Sequence, residues 1–240
     1  NLAGHKGILS RFHTLDENQQ QIVIHNSPRM SAALRSAVLG TDRQLCENGC
    51  TCSIRFGEYD LISTLISAVE DKANPHADLV GKTLCELARA LSEELGAGSE
   101  TGDRRDPKTV LKHVMPSLNK SVDRLGIHGR RETIESFVLL VTRDNPTLVQ
   151  ILMAPRHPAF LVLMRMLAES HDKAIVELIL SFLDDKGAPS AILSVASKRS
   201  DLGFIRCLLE KIGDRPSPLL EHNLKRMGAV AWLAAGVEVI

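Results

Sequence analysis

The sequence predicts an all-α fold, an α-solenoid of stacked helical hairpins, on three observations. Apolar residues recur at the spacing of amphipathic helices, paired runs repeat at an interval of about thirty residues, and proline and glycine punctuate the run ends. Strand signals reduce to Gln21 to Ile24 and Val237 to Ile240, each read as a helix end or a tail.

Taken in chain order, Leu61, Leu65 and Val69 make one helical face, and Val80, Leu84, Leu87, Leu91 and Leu95 make a longer helix that pairs with it. The run GAGSETGDRR carries no large apolar residue, so a mobile loop is expected near 96–107. Periodicity resumes with Val110, Leu111, Val114, Leu118, Val122 and Leu125, a stripe that Pro116 should kink or split. The expected organisation is a single domain over 1–240; the alternative is two helical subdomains, 1–95 and 108–240.

The second half carries the repeat. Phe160, Leu161, Leu163, Met164 and Leu167 form a first face, and Ile175, Leu178, Ile179 and Phe182 a second. Ile192, Leu193, Val195 and Ala196, then Ile205, Leu208, Leu209 and Ile212, repeat the design. An earlier copy runs from Ile134, Phe137, Val138 and Val141 to Leu148, Ile151 and Leu152, and a weaker one begins at Leu219, Leu220 and Leu224. Helices this short are unstable alone in water, so each face requires a neighbour. Asn145-Pro146, Pro158, Ala188-Pro189 and Ser217-Pro218 mark helix starts, His171-Asp172 and Ser200-Asp201 supply N-caps, and Gly187, Gly213 and Gly228 are stops.

Over roughly 130–228 these paired runs resemble the HEAT and armadillo class of α-solenoids, although the pairs are shorter than the usual forty-odd residues and lack the regular Asp and Arg of that repeat. The resemblance implies right-handed stacking of antiparallel hairpins and a binding role.

The chain has 240 residues, 44% of them apolar, and zero formal net charge. No apolar run reaches the roughly 18 residues of a membrane span, and no net field gathers nucleic acid or anionic lipid. The chain opens NLAGHKGILSRFH, without an initiator Met or a secretory signal, as expected of a processed piece. Five cysteines in no disulfide framework predict a reducing, cytoplasmic setting.

Cys46, Cys50 and Cys52 in LCENGCTCS are the metal candidates: three thiols within seven residues, turned by Asn48-Gly49, with His13 or His25 as a distant fourth ligand. The spacing is neither a zinc-knuckle pair nor a common cluster run, and a local disulfide or unligated cysteines on or under a loop compete with it. The nine histidines are scattered, with no His-Glu-x-x-His. His128 stands out in GIHGRRE, a loop read as an anion site with Arg130 and Arg131. Phosphate-loop, nucleophile-elbow and dinucleotide motifs are missing, so no enzyme and no cofactor is expected.

The expected role is therefore a non-enzymatic scaffold that binds another protein or peptide, as monomer or homodimer. Lys173, Glu177, Arg206 and Glu210 on the second helices are the candidate contacts. Duplex nucleic-acid binding is the alternative, through Arg104, Arg105, Lys108, Lys112, Arg130 and Arg131, with Lys198, Arg199, Arg206, Lys211 and Arg215 further on. Interleaved acidic residues and 3% aromatic content oppose it. A metal-binding regulator is third. The apolar stretch Ala229 to Ile240 is read as a capping helix or a dimerising end.

Overall fold

Side-chain caps define several helix starts. Asp42, Asp106, Asn145, Asp172, Asp201 and Ser217 each accept backbone N–H groups from the first turn of the helix that follows, satisfying donors that a helix leaves open. A computed structural model describes residues 2–25, 30–97, 106–213 and 216–228. Every regular element among them is helical: fifteen α-helices and short 3-10 turns. No described helix is long and apolar enough to cross a membrane. The segment 98–105 and the stretch Ala229 to Ile240 lie outside the described residues.

Two compact units divide the chain, 1–140 and 141–240. The first holds α1 (Leu2–Arg11), α2 (Glu17–His25), α3 (Ser31–Val38), α4 (Arg43–Phe56), α5 (Ile62–Glu70), α6 (Ala77–Ala97), α7 (Pro107–Asp123), α8 (Leu125–His128) and α9 (Arg131–Leu140). Helix α3 packs on α4, α5 on α6, and α7 on α9. Between these pairs, α1, α3, α5 and α7 touch in succession, as do α2, α4, α6 and α9. The expected α5/α6 pairing is present, with Leu65, Val69, Val80, Leu84, Leu87 and Leu91 buried. Helices α6 and α7, on either side of the segment 98–105, pack on each other and on α9. Pro116 does not split α7, which runs from Pro107 to Asp123 as one helix.

The second unit holds α10 (Pro146–Met153), α11 (Phe160–Glu169), α12 (Lys173–Phe182), α13 (Ser190–Lys198), α14 (Leu202–Ile212) and α15 (Pro218–Arg226). Here α11 packs on α12 and α13, and α12 on α13 and α14. The earliest copy of the sequence repeat is split by the unit boundary: Ile134, Phe137 and Val138 of its first face lie on α9, which packs with α6 and α7, while Val141 begins the second unit. Leu161 does not join the packed face of α11 but is 76% exposed, because it lies about 200° around the helix from the buried Leu163.

Long-range side-chain donors close several helix exits. Arg143 Nη1 donates to the Ser181 carbonyl at 2.8 Å, Arg199 Nη1 to Leu167 at 3.1 Å, and Asn223 Nδ2 to Leu183 and Asp185 at 2.9 Å each. The bonds to Ser181, Leu167 and Leu183 satisfy carbonyls at the ends of helices, where the last turn leaves acceptors open.

Candidate functional site

The cysteine segment is not a turn. Asn48 and Gly49 lie inside α4, which is continuous from Arg43 to Phe56 and closed by Gly57 in the left-handed conformation at φ 59°. Burial outweighs the weak helix preference of Cys, Asn and Gly: Cys46, Cys50 and Cys52 are at most 2% exposed. Gly49 faces α3 so closely that a Cβ there would meet the Ala37 Cβ at 2.8 Å.

In helical register Cys46 and Cys50 share a side one turn apart, and Cys52 points away from both. Cys46 is hydrogen-bonded to Cys50; that bond and then burial hold the Cys46 thiol protonated. Thr83 on α6 also bonds Cys50. Burial alone pushes Cys52 up to about 12. His13 approaches not a thiol but the Asn48 amide, Nδ1 to Nδ2 3.0 Å. Among the described residues no group of three or more His, Cys, Asp and Glu side chains is placed to hold a metal ion. The helix keeps Cys46 and Cys50 together but turns Cys52 away from the pair.

The GIHGRRE loop is also tied inward. His128 Nδ1 accepts the Arg130 backbone N–H at 3.0 Å, so Nε2 carries the proton and donates to the Ser121 carbonyl at 2.9 Å. Glu70 lies 3.6 Å from the same nitrogen and pairs with Arg124 at 3.1 Å. Arg130 pairs with Asp78 at 2.7 Å, whereas Arg131 is exposed at the start of α9. Arg104, Arg105 and Arg215 lie outside the described residues. Lys211 pairs with Asp184. Arg199, a candidate phosphate contact, is 3% exposed and serves the interior instead.

The four proposed partner contacts lie on α12 and α14, helices that touch each other. All four are exposed. Lys173 and Glu177 pair along α12 at 3.6 Å; Arg206 and Glu210 stand one turn apart on α14. Asp172 and Asp201 cap these two helices, so Glu177 and Arg206 hold the same position, five residues past each cap.

A pocket of about 330 Å³ lies between α11 and α13, a feature the sequence does not announce. Met164, Ala168 and Val195 make its apolar wall, and Arg165, Ser194, Lys198 and Arg199 its polar one. The Arg199 guanidinium is fixed by Asp201 Oδ2 at 2.8 Å, by the Leu167 carbonyl and by the Phe204 ring 4.8 Å away. Desolvation raises the Asp201 carboxyl, but the bond from Arg199 and the cap to Phe204 outweigh it and leave the group below its ordinary value. The signal in sequence was the Arg199-Ser200-Asp201 triplet ahead of Phe204, which reads equally well as a solvated cap.

Compared with known proteins, the chain matches no family model, no curated protein and no solved structure.

Proposed function

We propose that the chain is a non-enzymatic protein-interaction module, a HEAT- or armadillo-like α-solenoid whose antiparallel hairpins stack with a right-handed turn and present a polar face to a partner protein. The observation that carries this reading is the matched register of α12 and α14. Their caps, their mutual packing and the exposed Glu177 and Arg206 at equivalent positions make a surface that repeats from one hairpin to the next. The neighbour relations α1–α3–α5–α7 and α2–α4–α6–α9 support the same reading in the first unit.

Capture of partners on the tagged chain, with and without nuclease, tests it. A stoichiometric protein should survive nuclease and be lost from the Arg206→Ala, Glu210→Ala double variant at unchanged helicity by circular dichroism. Recovery abolished by nuclease would replace this reading with nucleic-acid binding.

A further inference from the structure

The pocket between α11 and α13 combines three cations with an apolar wall. Glu169 engages Arg165 through Nε at 3.0 Å, and Asp201 engages Arg199 at 2.8 Å. Lys198 is exposed and makes no ion pair among the described residues. The Nη groups of Arg165 likewise have no acceptor among them. Lys198 and the Nη groups of Arg165 thus line the same opening with donors to offer.

Size narrows the ligand. About 330 Å³ is at the lower end of the roughly 300–1,000 Å³ that enclose small ligands, room for one or two side chains rather than a large cofactor. One turn from Arg165 on the same face of α11, Leu161 is 76% exposed and supplies an apolar platform beside the charged opening. The buried Arg199 fixes the inner wall, so the cationic end of the pocket is rigid before any ligand arrives.

We propose that this pocket docks an acidic, partly apolar peptide segment of a partner protein, with one carboxylate side chain held between Lys198 and Arg165 and a neighbouring apolar side chain over Leu161. The inference rests on the partner-binding reading but not on the α12 and α14 surface.

The test is a titration of the full ¹⁵N-labelled chain, followed by amide chemical shifts, with the peptide acetyl-Leu-Asp-Glu-Leu-amide. The isostere acetyl-Leu-Asn-Gln-Leu-amide and inorganic phosphate at equal ionic strength are run beside it. The acidic peptide should shift the amides of Arg165, Ala168, Ser194 and Lys198 saturably and more weakly as salt is raised. Its affinity should fall about threefold in Lys198→Gln and about tenfold in Lys198→Glu, both at an exposed position that leaves the helix intact. Leu161→Asp should weaken it as well.

Equal binding of the isostere, indifference to Lys198→Glu, or phosphate reproducing the shifts at the same affinity would each overturn the proposal. The Arg206→Ala, Glu210→Ala variant should bind the peptide normally. A captured partner lost from that variant but kept by Lys198→Glu would remove the pocket and leave the interaction module standing.

Discussion

The side-chain amide of Asn48 donates to the carbonyl oxygen of Leu9 across 2.8 Å, joining two residues 39 positions apart. The same nitrogen reaches the Ser10 carbonyl at 3.2 Å, and Gln44 donates to the Asn48 oxygen. Asn48 is 4% exposed, so water cannot replace these bonds. Asn48→Ala should cost about 1–3 kcal/mol, the penalty of leaving buried acceptors without donors. Urea unfolding measures it as a lower midpoint at unchanged slope. A midpoint equal to that of the parent chain would mean that α1 is not held from α4.

Glycine to alanine should act with opposite signs at two helical positions. At Gly7 in α1, nothing lies within 4 Å of an added Cβ, so Gly7→Ala should stabilise by up to about 1 kcal/mol through helix preference. At Gly49 the added carbon would overlap the Ala37 methyl, and Gly49→Ala should destabilise by about 1–3 kcal/mol as α3 and α4 are forced apart. Paired urea curves check the sign; stabilisation at both positions would refute the close α3/α4 approach.

The buried thiols should make the first unit sensitive to alkali. Desolvation pushes both Cys52 and Cys85 up to about 12. Their unfolded value is about 8.5. The unfolded chain therefore releases these protons first, so stability is full below about pH 8.5 and declines as pH rises towards 12. Urea midpoints at pH 8, 9.5 and 10.5 should fall in that order, and more gently in Cys52→Ala, Cys85→Ala. At pH 8 iodoacetamide should label the half-exposed Cys207 well before the other four, with all five reacting in denaturant. Rapid native labelling of Cys46 or Cys50 would contradict the packing of α4.

Helix periodicity and caps were legible where each helix has one buried face. Asp172 and Asp201 cap where expected, the helices after Asn145 and Ser217 begin at their prolines, and α5 pairs with α6. The segment 43–56 was not legible, because α4 is buried on several sides and uses Cys, Asn and Gly where a one-faced helix shows apolar spacing. Neither was the partnering of α9. Its apolar residues fit the repeat template equally well, and only tertiary contact assigns them to α6 and α7. The α11/α13 pocket escaped for a related reason: Leu161 counts as apolar in any periodic reading, and Arg199 as charged, yet the first is exposed and the second buried.

The ties at the helix exits also set an order in time. Asn48 closes α1 from 39 residues downstream, Arg199 closes α11 from 32, and Asn223 reaches Leu183 across 40. A ribosome emits these acceptors first and their donors one hairpin or more later. During synthesis these three exits therefore stand open to water until a later layer arrives to seal them, whereas the Ser181 exit finds its donor, Arg143, already made. A nascent chain that stalls between layers displays unsealed carbonyl ends, a mark by which an unfinished stack differs chemically from a finished one.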